Sequence, residues 1–445
     1  MRRPFIPFSP FYLPMCYAIP GRVVSVDGNT ATLEYFGEKR KAKIVGARDA
    51  GLRSGGYAYA QGGIIVDTIP ESEALAILET WKEQFLELRK KDESMARGRM
   101  QGELGPILRK AESGALLTRS EMKRILETEG EKSLASLYQA ANSVRARNIQ
   151  NACCVHGIIE FSNNCGNGCA YCGINKNNTK LRRYRMDPDE IVSAAEYAVR
   201  SLGFRALVLQ SGEDQYYSDD TLVSIVKRIR ERCGVLIFMS IGERSEECYR
   251  RLYEAGAYGA LIRFETSNPK LYSLMRPGKK LDDRLALIRK LKSMGYLLAT
   301  GFLAGLPGQT GQDLINDILL MKSLKPDMFS FGPLIPHPCT PLAGAPEVPL
   351  DHMLKTIALA RLAAPDSHIV VTTALETLDK EGKRKGLLAG ANSLMINVTP
   401  EEYKRDYDIY PGKTPDTGRR TQDMIRETLG LLHSLGRAPT DLGAR

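Results

Sequence analysis

The chain has 445 residues, with 62 Lys and Arg against 52 Asp and Glu for a net charge of +10, and is 43% hydrophobic and 26% charged. At roughly 150 residues per domain this length allows about three domains, and the composition excludes intrinsic disorder, collagen-like repeats and a disulfide-dense scaffold. No apolar run reaches the ~18 residues a spanning helix needs, which excludes an integral membrane protein. Near the start, Arg2-Arg3 precedes Phe5-Ile6-Pro7-Phe8, but Pro4, Pro7, Pro10 and Pro14 break any apolar helix, so export is not expected. Nine cysteines, three of them within eight residues, suit a reducing cytoplasm and metal ligation better than a disulfide framework. The positive charge is diffuse, its basic runs are as short as Lys39-Arg40-Lys41 and Arg182-Arg183, and there is one Trp. Nucleic acid is therefore not an expected partner, whereas an acidic protein is.

From Met15 to Pro70 the sequence reads as short strands, with a hairpin signal at Asp27-Gly28-Asn29, and a small OB-like β-barrel is the natural closure. Apolar Leu75, Leu78, Phe85 and Leu88 then follow roughly helical spacing and predict a helix over Glu71 to Asp92. Residues 93–150 read as a helical connector, with a helix start at Thr118-Arg119-Ser120-Glu121. After His156, short apolar strands alternate with amphipathic stretches: GIIEFS, ALVLQSG, VLIFMSIG, GALIRFET, LATGFLAG, MFSFGPLI, IVVTTALE and SLMINVT. Each but the last is followed by a helix-compatible segment, so the fold class is α/β with a parallel sheet. Eight units over residues 156–400 match the ~250 residues of a (β/α)8 TIM-type barrel, with an open doubly wound sheet as the alternative. Polar residues gather where the strands end, at Ser162-Asn163, Glu213, Glu243, Glu265, His337, Thr372-Thr373 and Asn397, the face where such barrels do chemistry. The expected organisation is a tail over 1–14, the small barrel with its helix over 15–92, the connector over 93–150, and the large barrel with a closing segment over 151–445.

The segment SNNCGNGCAYCGINKNN places Cys165, Cys169 and Cys172 directly after the first strand of the large barrel. Three thiolates on one short loop can converge on a soft metal centre. Structural zinc needs four closed ligands and would have to recruit Cys153, Cys154 or His156, whereas a four-iron cluster on three cysteines leaves one iron open. Buried structural thiols do not explain why Gly166, Gly168 and Gly173 flank them. GLPGQTG lacks the Lys-Ser/Thr pair of a phosphate loop.

CxxxCxxC with an aromatic before the last cysteine, atop the first strand of such a barrel, resembles the radical S-adenosylmethionine (SAM) superfamily. The resemblance implies one [4Fe-4S] cluster on Cys165, Cys169 and Cys172, whose open iron chelates SAM, with Tyr171 beside it. GIIEFSNNCGNGCAYCGI, LRRYRM, LVLQSGEDQYY, RFETSNP, RPG, GLPGQT, GPLIPHPCTPLA and TTALET together resemble the HydE maturases of the [FeFe]-hydrogenase H-cluster, over about residues 100–440. By that resemblance Gln210, Ser211, Glu213, Arg263, Glu265 and Arg284 contact the cofactor, with Glu265 and Arg284 also catalytic. An Arg and a Glu at one strand end can pair with opposite charges of SAM; a buried ion pair is the structural alternative for Arg263 and Glu265. Thr372, Thr373 and Tyr403 would line a substrate cavity, and Tyr403, Tyr407 and Tyr410 would belong to a closing segment. No cysteine follows Cys339, so no auxiliary cluster is expected. Cys339 is either a cavity thiol or a bystander, and Phe238 stands where a polar cavity residue could be.

MCYAIPGRVVSV and GGYAYAQGGIIVDTI, over about residues 15–92, resemble HypC, a chaperone of [NiFe]-hydrogenase assembly. That makes Cys16 a candidate ligand for an iron–carbonyl–cyanide synthon, although fourteen residues precede Met15 and Gln61 replaces the family's histidine; a docking or stability domain that no longer carries iron is the alternative. The two resemblances together imply that this domain exchanges the synthon at the barrel mouth. They also imply an iron carbonyl–cyanide substrate, a flavodoxin or ferredoxin electron donor, and other hydrogenase maturation proteins as partners. A methylornithine synthase-like mutase, a biotin synthase-like enzyme and a non-catalytic metallochaperone scaffold are the alternatives.

Overall fold

The computed structural model describes residues 18–45, 51–98, 102–413 and 420–441, so Cys16 lies outside the described residues. Strands β1 (Gly21–Asp27), β2 (Thr30–Tyr35), β3 (Glu38–Lys43), β4 (Tyr57–Gln61) and β5 (Ile64–Ile69) close into a barrel in the order β1-β2-β3-β5-β4. The hairpin is where the sequence predicts it: Asp27 faces Thr30, and Gly28 takes φ +53, which only glycine adopts readily. The chain then enters α1 (Glu71–Ala96), whose inner stripe is Ala74, Trp81, Phe85, Leu88, Asp92 and Ala96. Leu75, expected on that stripe, is exposed instead, because the helical repeat runs through its neighbour Ala74. Helices α2 (Gly105–Glu112), α3 (Arg119–Leu126) and α4 (Glu131–Ile149) follow. The start at Thr118 is a capping box in which Thr118 Oγ1 accepts from Glu121 N and the Glu121 carboxylate accepts from Thr118 N.

The remaining elements are β6 (Cys154–Ser162), α5 (Pro188–Arg200), β7 (Ala206–Ser211), α6 (Asp219–Arg232), β8 (Leu236–Ser240), α7 (Glu246–Glu254), β9 (Gly259–Leu261), α8 (Pro269–Met275), α9 (Leu281–Ser293), β10 (Leu297–Thr300), β11 (Leu303–Ala304), α10 (Gly311–Leu324), β12 (Met328–Phe329), β13 (Gly332–Pro333), α11 (Leu350–Ala363), β14 (His368–Val371), α12 (Thr373–Leu378), α13 (Gly382–Leu388), β15 (Ser393–Asn397), α14 (Glu401–Lys404) and α15 (Thr421–Ser434). Eight of the strands close as β6-β7-β8-β9-β10-β12-β14-β15, every pair parallel, which removes the open-sheet alternative. Two expected strands are split: β11 and β13 leave the barrel and pair with each other. The run IVVTTALE stops being a strand at Val371, and Thr372 becomes the residue before α12. A helix also follows the last strand, contrary to expectation.

Along β6, Val155, Ile159 and Phe161 pack outward under the helices, while Ile158 faces inward. The inward layer near the strand starts is apolar, and it is shared. Ala18, Tyr59, Ile64 and Val66 of the small barrel form one cluster with Ala206, Leu236, Tyr258, Met328 and Val370. Arg205 stacks 4.4 Å over the Tyr59 ring and lies 3.7 Å from Asp67, while the Tyr258 hydroxyl donates to Val45 O at 3.0 Å. The small barrel therefore plugs the N-terminal floor of the large one. This corrects the expectation that it meets the barrel at its mouth, since the chemistry-bearing strand ends lie at the other end. Phe238 belongs to the same floor layer, edge-on to His156 at 5.6 Å. Beside the floor, Asp92 of α1 accepts from Arg145 of α4 at 2.6 and 2.7 Å and lies 2.9 Å from Arg437, a buried triad that holds helix, connector and C-terminal segment together.

Candidate active site

Beyond Ser162 the chain leaves β6 and forms the loop that carries Cys165, Cys169 and Cys172, all free thiols and all half-buried. One guanidinium fixes its course: Arg183 donates to the carbonyls of Asn163, Ile174, Asn175 and Asn178. Two glycines permit close approach, because a Cβ on Gly212 would stand 2.7 Å from Cys165 Cβ and one on Gly173 would stand 2.1 Å from Asp408 O. Burial pushes all three thiols up, Cys169 to about 12, so without a cation they would stay protonated. A bound metal reverses that preference. Among the described residues the Cys/His/Asp/Glu donors that all lie within 4.8 Å of one another are Cys154, His368 and Asp441. The three loop thiols are not in such a group.

Beside the loop, carboxylates at two strand ends meet cations from α9 and from the turn that joins it to α8. Glu213 lies 2.9 Å from Arg276, 3.4 Å from Arg284 and 3.9 Å from Lys279. Glu243 lies 3.4 Å from Arg276, 3.1 Å from Arg284 and 2.7 Å from Lys279. Past β9, Arg263 Nε lies 3.4 Å from Glu265 Oε2 without donating to it, so that buried oxygen has no hydrogen-bond partner among the described residues. Glu265 also takes φ +65, a left-handed conformation unusual for a side chain with a Cβ, and such strain concentrates at functional sites. The Tyr171 hydroxyl is raised well above its ordinary value by burial and then by the Glu265 charge. Gln210 Oε1 accepts from the Ser240 hydroxyl at 3.3 Å, and Ser211 donates to Gly212 O at 2.7 Å.

The C-terminal segment covers this mouth. Gly173 N donates to Ile409 O at 2.9 Å, Asn163 Nδ2 to Asp406 O at 2.6 Å, and Thr373 is hydrogen-bonded to Tyr410. Lys413 reaches into β6 to pair with Glu160 and lies 4.3 Å over the buried Tyr407 ring. Burial pulls the Lys413 ammonium below its ordinary value, and Glu160 opposes the shift. Thr372 packs against Gly332, whose Cβ would stand 2.6 Å from Thr372 Oγ1. Tyr403 is not brought to this group: its hydroxyl donates to Glu190 at the start of α5 and its ring lies 4.9 Å from Tyr184. Cys339 sits beside the cover, its N–H donating to His337 Nδ1, while His337 Nε2 lies 3.1 Å from Asp408. In GLPGQT, Gln309 Oε1 accepts the amides of Gly305 and Leu306, so the loop satisfies itself and offers no phosphate cradle.

Sequence reasoning singled out neither Arg276 nor the Glu160–Lys413 pair. Glu160 had a readable signal, a lone charge inside the apolar strand GIIEFS. Arg276 had none beyond its place in the RPG segment.

Residues 159–321 match the Radical SAM superfamily, residues 15–81 the HupF/HypC family, and residues 330–428 the Biotin and Thiamin Synthesis associated domain. The chain is 40% identical over 329 residues to the [FeFe] hydrogenase maturase subunit HydE of Thermotoga maritima, covering 74% of this chain and 94% of that protein. It is 29% identical over 325 residues to 3-methylornithine synthase of Methanosarcina barkeri, covering 72% and 91%. A crystal structure of methylornithine synthase superposes with a TM-score of 0.67 at 28% identity, covering 76% of this chain and 97% of that one.

Proposed function

The chain belongs to the HydE family of radical SAM enzymes, and from that premise we propose that it acts in [FeFe]-hydrogenase maturation on an iron carbonyl–cyanide precursor. The observation that carries the reading is 40% identity across 94% of a HydE maturase, joined to three free thiols on the loop after β6. Cys165, Cys169 and Cys172 would hold a [4Fe-4S] cluster, a set of soft donors suited to it. When bound and reduced, that cluster supplies the electron that splits SAM into methionine and a 5′-deoxyadenosyl radical.

The chain's own residues would do the rest. Glu265, with one carboxylate oxygen open, would accept from a donor on the cofactor, and Arg263 beside it would pair with an anionic group. Gln210, Ser211 and Tyr171 would add polar contacts at the same end of the barrel. Arg276, Arg284 and Lys279 would hold Glu213 and Glu243 in place. The cover made by Tyr407, Tyr410 and Lys413 would exclude water from the radical, and Thr372 and Thr373 would face substrate. Lys176 and Arg183 line a pocket at Cys165, where Arg185 is paired with Asp214, and the two would suit an acidic flavodoxin or ferredoxin. Cys16 as a synthon ligand predicts that Cys16→Ser slows hydrogenase maturation; unchanged maturation would end that idea.

The test is anaerobic: reconstitute the cluster, reduce it, and measure 5′-deoxyadenosine with and without a cysteine-bound Fe(CO)2CN complex. Stimulation by the complex is the expected result. Slow cleavage unaffected by the complex overturns the substrate, and no cleavage with a full cluster favours a scaffold. The likeness to methylornithine synthase favours a second reading, a mutase, in which an amino acid and not the iron complex stimulates cleavage.

A further inference from the structure

At the opposite end of the barrel, three donors from separate parts of the chain converge under the small barrel. Cys154 opens β6, His368 opens β14, and Asp441 belongs to the C-terminal segment. Their donor atoms all lie within 4.8 Å of one another, and Cys154 Sγ is 3.4 Å from His368 Nδ1. A tetrahedral zinc ion, with bonds of about 2.3 Å to sulfur and about 2.0 Å to nitrogen, places those two atoms roughly 3.5 Å apart. Cys154 and Asp441 are buried.

A second observation points to a ligand. His156 lies two residues along β6 from Cys154 and so on the same strand face. Its ring is buried, yet Nδ1 has no hydrogen-bond partner among the described residues. Such an atom costs free energy unless something occupies it. The ring lies close to both Asp441 and His368.

We propose that Cys154, His368 and Asp441 bind one zinc ion, with His156 the candidate fourth ligand. The ion takes the Cys154 thiolate and releases its proton to solvent, with no change of oxidation state. At His368 it displaces the Asn392 Nδ2 hydrogen bond, now 3.0 Å long, while Asn392 Oδ1 stays held by Arg361 and Ile369 N. Asp441 Oδ2 accepts from Gly62 N, in the turn between β4 and β5. The ion therefore ties the starts of two barrel strands to the tip of the small barrel, as a clasp across the floor.

The test uses the full-length chain with its iron–sulfur cluster reconstituted. It is incubated with Zn2+, gel-filtered, and assayed for zinc and iron per chain beside Asp441→Asn and His368→Gln. One zinc per chain in the parent, at least fivefold less in both variants and unchanged iron are expected. Cys154→Ser is the second variant should either substitution also lose iron. Zinc retention that is negligible in the parent, or equal in parent and variants, overturns the site. Because the readout is metal content, failure here leaves the SAM-cleavage assay, and the maturase reading, untouched.

Discussion

Arg276 is the residue on which the mouth most depends. Its guanidinium is 2% exposed and is paired to both Glu213 and Glu243. Removing one partner of a buried pair costs about 3–5 kcal/mol, so Arg276→Met should lose stability of that order in urea denaturation and also lose SAM cleavage. Glu265→Gln keeps the shape but removes the charge, and a charge-assisted hydrogen bond is worth about 1.5–3 kcal/mol. SAM affinity, read by calorimetry on the reconstituted protein, should fall about 10- to 100-fold. Asp317 of α10 pins the segment just past Glu265 by accepting from Ser267 N and, at 3.2 Å, from Gln309. Burial pushes its pKa up to about 6 from 3.8. The folded chain then holds a proton that the unfolded chain has released, so stability falls as pH rises from about 4 to about 6, by about 3 kcal/mol at most. That fall should be missing in Asp317→Asn, compared with the parent by urea denaturation across the window. The three loop thiols stand out in sequence because three cysteines in eight residues need an explanation. Arg276 was not, since an arginine in a helix-rich stretch looks the same in sequence whether it faces solvent or two carboxylates.

Elements were legible wherever periodicity and burial agree. The eight barrel strands read clearly because both of their faces are covered, which makes short apolar runs. IVVTTALE misled because Ile369 to Thr373 is a β-branched run, yet Thr372 can also precede a helix, and the turn into α12 decided it. In α1, Asp92 occupies the buried stripe only because Arg145 and Arg437 reach it from elsewhere, a partnership that local pattern does not carry. Gly62 is a tight point between the two barrels: it has φ +58, and a Cβ would stand 2.6 Å from Leu297 Cδ1. Gly62→Ala should destabilise by about 1–3 kcal/mol through strain and overpacking, measured as a lower urea midpoint.

For the whole molecule, both resemblances were legible in sequence, but their spatial relation was not, because no local signal says which end of a barrel a domain will cap. Removing residues 1–98 should expose the apolar floor around Leu236, Met328 and Val370 and strand Arg145 and Arg437 without Asp92. The truncated chain should bind a hydrophobic dye and aggregate at concentrations where the parent does not. Among the described residues, the small barrel closes the floor of the large one and leaves the mouth as the side from which it is reached. Whatever enters first lies deepest, and nothing behind a later arrival can leave before it. If substrate lies beneath SAM, turnover should run as a stack, with substrate loaded before SAM and the spent halves of SAM departing before the altered substrate, an order that product-inhibition patterns would check.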